Sequence, residues 1–178
     1  MPALCLRSIR NLPAMLLKKV CMLGSFAVGK TSLVRRYVEG FYGDTYQTTV
    51  GVKVVNKIVR LGDNEVTLVL WDLYGEDDFQ KMRWSYLGGS SGYFLVADGT
   101  RVATMHKAEA LEARARQEIG TVPFVLLINK SDRVAEWELE PGVEDALLAR
   151  GWDILHTSAK SGEGVEEAFA RLTAKIMA

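Results

Sequence analysis

Gly24-Ser25-Phe26-Ala27-Val28-Gly29-Lys30-Thr31 follows an apolar run, Leu16 to Leu23, and leads into a helical pattern from about Thr31. A buried strand, a tight glycine-bearing turn and a helix start, in that order, aim successive backbone N–H groups at one point. The positive end of the helix dipole adds to them, so the loop suits an anion. The spacing GxxxxGK[ST] gives each polar side chain a role, with Lys30 reaching β- and γ-phosphates and the Thr31 hydroxyl ligating Mg²⁺. Ala27, Val28, Gly29, Lys30, Thr31 and Ser32 are therefore the candidate phosphate-binding residues. The plainer alternative is a glycine-rich turn with a surface lysine. The motif implies a nucleoside triphosphate and leaves the base open.

Outward from this loop, apolar runs alternate with helical periodicities, which predicts an α/β domain with a mostly parallel sheet covered by helices on both faces. Val50 to Arg60 and Val66 to Leu73 read as strands joined through Gly62-Asp63-Asn64-Glu65, the one antiparallel connection expected. Gly92 to Ala97 and Pro123 to Ile128 are short apolar strands. Three helical stripes are read as core-facing. They are Met105, Ala108, Leu111, Ala115 and Ile119, ended by Gly120; Val143, Ala146 and Leu147, ended by Gly151; and Val165, Ala168, Phe169, Leu172 and Ile176.

Asn129-Lys130-Ser131-Asp132 stands directly after the strand Pro123 to Ile128. An ionised Asp132 can accept from both the N1–H and the 2-amino group of guanine, whereas adenine has no such donor pair and would leave the carboxylate unpaired. Sites built on buried hydrogen bonds discriminate by roughly 10⁴–10⁵ in the best cases. The Lys130 stem can lie along the ring plane. By itself the four-residue pattern could be a helix-capping turn; at a strand end, some hundred residues after a phosphate loop, it points to guanine.

With these segments in hand, the chain resembles the Ras superfamily of small GTPases from about residue 16 to 177, and the Rab and Rho branches most. The segments that carry the resemblance are GSFAVGKTSLVRRYV, YQTTVGV, WDLYGED, NKSD and HTSAKSGEGVEEAF, in the family's order and near its spacing. It implies a Ras-like G domain of P-loop type, with a six-stranded mostly parallel sheet and five helices. It also implies exchange of GTP and GDP, slow GTP hydrolysis, and two switch segments sensing the γ-phosphate. Position by position, Thr49 matches a Mg²⁺-ligating switch threonine, Tyr42 an aromatic that packs on guanine, and Asp72 an aspartate that holds Mg²⁺ through water. Gly75 matches a glycine whose N–H meets the γ-phosphate. Ser158, Ala159 and Lys160 match the loop in which the Ala159 N–H meets the guanine O6.

Three positions around the γ-phosphate depart from the family pattern. Glu76 stands where most members have the glutamine that orients water; a carboxylate accepts from water, donates nothing to phosphoryl oxygens, and adds negative charge where the transition state needs positive. Phe26 fills a usually small loop position and would crowd an inserted arginine finger. Tyr74 replaces a small residue before Gly75. The catalytic set is thus Glu76, Gly75 and Lys30, with hydrolysis expected to be slow and an arginine-finger activator ineffective. A guanine-nucleotide-binding pseudoenzyme that recruits partners without turnover is the alternative. An ATPase or kinase would share the phosphate loop but leave NKSD and the Ser158-Ala159-Lys160 segment unexplained.

Composition bounds the rest. At 178 residues the chain is one domain long, with 48% hydrophobic and 25% charged residues. Twenty-two basic residues balance 22 acidic ones, so no nucleic-acid binding is expected. Two cysteines, Cys5 and Cys21, make no disulfide framework, and a cytoplasmic setting is expected. Residues 1–14 read as a flexible extension before a G domain over 15–178. Ala174 to Ala178 offers no cysteine for prenylation, so no lipid anchor is expected there. Val54, Trp71 and Tyr86 align with a hydrophobic triad that Rab-like members present to effectors, with Trp84 nearby. Effector and regulator proteins at the switches, and a monomeric chain, are the expectation. His106 and His156 look incidental, and Glu76-Asp77-Asp78 reads as the acidic first turn of a helix.

Overall fold

The computed structural model describes residues 16–40, 52–62, 64–73 and 84–178. The expectations for residues 1–14, Tyr42, Thr49, Tyr74, Gly75, Glu76, Asp77 and Asp78 fall outside these residues.

Six strands form one sheet: β1 (Leu16–Gly24), β2 (Val52–Leu61), β3 (Asn64–Leu73), β4 (Gly92–Asp98), β5 (Phe124–Asn129) and β6 (Ile154–Thr157). Their order is β2-β3-β1-β4-β5-β6. β2 pairs antiparallel with β3, and every other neighbouring pair is parallel. This is the Ras-like G-domain arrangement. Four α-helices lie among the described residues: α1 (Lys30–Glu39), α2 (Val102–Ile119), α3 (Val143–Ala149) and α4 (Val165–Met177). Short 3₁₀ turns cover Trp84–Leu87 and Ser131–Glu136.

Alternation along the central strands divides the core into two halves, because successive side chains leave a strand on opposite faces. Val20 and Met22 of β1, Phe94 and Val96 of β4, and Val125 and Leu127 of β5 face α1 and α4. There Phe169 stacks on Tyr37 at 3.8 Å and meets Phe94 edge-on at 4.8 Å. Cys21, Leu23, Tyr93, Leu95, Leu126 and Ile128 face the other way, against Met105, Ala108, Leu111 and Ala115 of α2 and Leu147 of α3. Strands buried on both faces are continuous apolar runs, and that is how β1, β4 and β5 read in the sequence.

Two expectations need correction. The hairpin is tighter than Gly62 to Glu65: pairing extends to Leu61 opposite Asn64, because Gly62 at φ +57° lets the chain reverse at once. Ala146 is exposed rather than core-facing, since the seven-residue α3 buries only Leu147.

A candidate guanine-nucleotide site at the carboxyl ends of the strands

The phosphate loop leaves β1 at Gly24 and enters α1 at Lys30. Gly29 has φ +102°, and a Cβ there would stand 2.2 Å from the Asn129 amide nitrogen. Gly24 is equally constrained, with a Cβ falling 2.4 Å from the Val96 carbonyl oxygen. Both positions therefore require glycine: backbone and neighbouring strand ends approach too closely for any side chain. Val28 buries its side chain in the core, and its carbonyl accepts from Asn129 Nδ2 at 2.9 Å. Lys30 is 6% exposed and donates to the carbonyls of Gly24 and Ser25, each at 2.9 Å. Burial lowers its pKa to about 8 against the opposing pull of Asp72. An ammonium held among carbonyls in a dry loop is well prepared to exchange them for phosphoryl oxygens.

Asp72 sits one residue from the end of β3 and is 1% exposed, and among the described residues neither carboxylate oxygen receives a hydrogen bond. Burial raises its pKa, although the nearby Thr31 hydroxyl and the charges of Lys30 and Lys53 favour the ionised form. Leaving a buried carboxylate unpartnered is expensive, by several kcal/mol in general. A hydroxyl and a carboxylate with unused lone pairs make a hard, all-oxygen donor set, which fits Mg²⁺ with retained waters. The residues present fit that ion.

Across the opening from the phosphate loop lie the 3₁₀ turn after β5 and the loop after β6. A cavity of about 510 Å³ is lined by Ala27, Gly29 and Ser32 on one side and by Asn129, Lys130, Asp132, Ala159 and Lys160 on the other. Asn129 ties the two sides together: besides holding Val28, its Oδ1 accepts from the Ala159 N–H at 3.2 Å and the Thr157 hydroxyl at 3.3 Å. Buried Ser158 donates its hydroxyl to Asp132 Oδ1 at 2.6 Å, which fixes the carboxylate at the cavity wall. Lys130 has φ +72°, and its Nζ reaches Asp98 Oδ2 at 2.6 Å.

Four residues at this site escaped the sequence reading. Arg133 lines the cavity beside Asp132. Arg36 of α1 reaches the Ala159 carbonyl with Nε at 2.8 Å and also donates to the Lys160 carbonyl, bracing the last loop from behind. Asp98 ends β4 with its side chain inaccessible, accepting from Lys130, Arg101 and both the N–H and hydroxyl of Thr100. Burial works against its charge, but these four donors outweigh burial and hold its pKa below the usual carboxylate value. A depressed native pKa stabilises the fold above the unfolded value, and that contribution is lost as the pH falls below about 4. Asp98→Ala should therefore cost about 1–3 kcal/mol at pH 7, and less near pH 3. Urea titrations at the two pH values check this; equal losses at both would contradict it. The fourth, Arg101, donates to Asp98 Oδ2 from the residue before α2.

On the flank of the sheet, Val54 is the cross-strand partner of Trp71, whose ring lies 6.0 Å from that of Tyr86. Val54 is exposed, Trp71 and Tyr86 are half-buried, and the Lys19 ammonium sits 3.9 Å over the Trp71 ring. The three aligned residues are neighbours in space, and Trp71 and Tyr86 also pack against the core. His106 is exposed on α2, and His156 pairs with Glu144 at 2.9 Å, away from the cavity lining.

Comparison with known proteins agrees with this geometry. The model of the Ras family matches residues 19–178. The human "Ras-related protein Rab-7b" is 33% identical over 172 residues, covering 89% of this chain and 82% of that protein. The rat and mouse proteins named "Ras-related protein Rab-7L1" are 33% identical over 169 residues, covering 89% of this chain and 81% of each. A phosphate loop and an Asn-Lys-x-Asp motif facing each other across one cavity, on this sheet order, thus accompany similarity over nearly the whole chain. The chain belongs to the Ras family of small GTPases, on its Rab-like side.

Proposed function

We propose that this protein is a guanine-nucleotide switch that binds GTP and GDP with Mg²⁺, hydrolyses GTP slowly, and signals through its two switch segments. The observation that carries the reading is the cavity with a phosphate cradle on one wall and Asp132 on the other. The two walls together select the ligand: one end is built for phosphates and the other for a purine with adjacent N1–H and amino donors. Lys30 and the loop amides of Ala27 to Ser32 hold the phosphates. Asn129, Lys130, Asp132, Ser158, Ala159 and Lys160 form the base side, with Tyr42 on the guanine face. Thr31, Thr49 and Asp72 would hold the Mg²⁺, which would supply charge neutralisation to the phosphates. Gly75 and Glu76 act at the γ-phosphate. Val54, Trp71 and Tyr86 make the docking patch for effectors and regulators, aromatic and desolvated enough for a binding hot spot. The setting is cytoplasmic.

Slow turnover follows from two side chains. Glu76, when ionised, cannot donate to the phosphoryl oxygens, and Phe26, 62% exposed within the phosphate loop, would crowd the approach of an arginine supplied by another protein. Supplying a donor should restore rate: Glu76→Gln is expected to raise single-turnover phosphate release at least roughly tenfold. A fast parental rate left unmoved by the substitution would sink this part of the reading. The exposed Phe26 also favours a second reading, a GTP-bound recruiter without meaningful turnover. In that case neither Glu76 nor Gln at this position gives measurable phosphate release, while nucleotide binding stays intact.

A further inference from the structure

Arg101 lies between β4 and α2, in extended conformation, immediately outside the phosphate loop. Its Nε donates to Asp98 Oδ2 at 2.9 Å, and its Nη2 donates to the Phe26 carbonyl at 3.0 Å. The two bonds come from one rigid, planar fork, so fixing one arm directs the other. The arm at Asp98 is well fixed. That carboxylate is buried and also holds Lys130 at 2.6 Å and Thr100 at 2.7 and 3.0 Å. A continuous chain of charge-assisted hydrogen bonds therefore runs from the base-side lysine, through Asp98 and Arg101, to the backbone of the phosphate loop.

The consequence lies in the peptide that Arg101 grips. In a trans peptide the C=O and N–H point in opposite directions. Drawing the Phe26 carbonyl out toward Arg101 turns the Ala27 N–H the other way, and Ala27 lines the cavity. The next peptide but one is held by the same device, since Asn129 Nδ2 takes the Val28 carbonyl at 2.9 Å and so aims the Gly29 N–H. Ala27 needs such a hold. Its φ is +58°, a left-handed conformation that residues with a Cβ seldom adopt, yet alternation of hand is what makes successive N–H groups converge on an anion. Lys30, which bonds Gly24 and Ser25 from within, is committed to the phosphates once they arrive. Arg101 and Asn129 act on the loop through the Phe26 and Val28 carbonyls rather than its N–H groups, so neither hold uses a donor that a phosphate needs.

We infer that Arg101 is a positioning residue for nucleotide binding: by anchoring the Phe26 carbonyl it aims the Ala27 N–H at the phosphates beyond the α-phosphate. This rests on the proposed guanine-nucleotide function and adds to it a residue that touches no ligand. It also predicts a selective defect. A loop of this type is expected to cradle the β-phosphate with its amides, and GDP carries that group whereas GMP does not.

The test is the affinity of the full chain for GDP and for GMP, with Mg²⁺, by competition against a fluorescent guanine nucleotide. Arg101→Ala should weaken GDP about tenfold and leave GMP unchanged. An equal loss for both nucleotides, or no loss for GDP, overturns the inference. Arg101→Lys guards against a folding failure, because its single nitrogen remains with Asp98 and leaves the Phe26 carbonyl unclaimed. It should keep the parental melting temperature and lose GDP affinity as the alanine variant does; parental GDP affinity in this variant also overturns the inference. If the unaltered chain binds neither GDP nor GTP, the nucleotide function itself fails and takes the inference with it, a result that differs from both of the others.

Discussion

Asp132→Ala should lower affinity for GDP and GTP by roughly 10²–10⁴-fold and erase the preference for guanosine over adenosine nucleotides. Two charge-assisted hydrogen bonds are lost at once, each worth about 1.5–3 kcal/mol in a desolvated site. The larger loss falls on binding rather than folding. Asp132 is exposed on the 3₁₀ turn, and its described partner, Ser158, keeps a second bond, accepting from the Ser161 N–H at 3.0 Å. Losing the bond from the buried Ser158 hydroxyl should cost folding about 1–3 kcal/mol, which leaves the variant folded and is separable from the binding loss by its melting temperature. Asp132→Asn sharpens the test. Its amide can offer one acceptor and one donor, so it should reject the 2-amino group of guanine and accept a carbonyl at that position, as in xanthine. Calorimetry with GDP, ADP and XDP reads the whole pattern. Unchanged GDP affinity in the alanine variant, in a protein that stays folded, would mean that the base does not sit against this carboxylate.

Motifs were legible where function requires neighbours in sequence, and illegible where it requires neighbours only in space. Gly24 to Thr31 is contiguous because one turn must supply several amides, and Asn129 to Asp132 is contiguous because one turn must face one base. The supporting groups obey no such rule. Arg101 stands 75 residues from Phe26, and Arg36 stands 123 from Ala159, yet each reaches a carbonyl of a binding loop. Nothing about an arginine in a polar helix start or on a charged helix face distinguishes a brace from a solvated charge until the sheet order brings the loops together. Asp98 was hidden in the same way, as the polar end of an apolar strand. β6 escaped for another reason: it is a four-residue edge strand with one buried side chain, too short to show a period. The exposed Ala146 shows the opposite failure, in which helical spacing looks amphipathic over a helix too short to bury a stripe.

The same spatial logic makes Asp72→Asn a decisive substitution, because its effects on folding and on binding should have opposite signs. Asp72 is a carboxylate sealed in the protein interior, and among the described residues neither of its oxygens has a hydrogen-bond donor. Lys30 is close enough to be felt electrostatically but gives its hydrogen bonds to Gly24 and Ser25. Folding without metal or nucleotide therefore bears the cost of a desolvated charge. An isosteric amide removes the charge while keeping the shape, and should stabilise the nucleotide-free, chelator-treated protein by about 1–3 kcal/mol. The gain has a functional counterpart, since a group buried at a cost to the fold is one whose partner arrives with the ligand. The amide cannot orient a metal-bound water as a carboxylate does. Affinity for Mg²⁺ in the nucleotide complex should fall about 10- to 100-fold, the usual consequence of losing a carboxylate behind a metal's waters. Thermal melts in chelator and Mg²⁺ titrations of the GDP complex measure the two effects separately. A variant less stable than its parent without metal would mean that Asp72 is held by interactions within the fold. A variant with undiminished Mg²⁺ affinity would mean that the ion is held elsewhere. Only the combination, a firmer empty protein with a weaker metal site, is what a carboxylate kept unpartnered for an incoming cation produces.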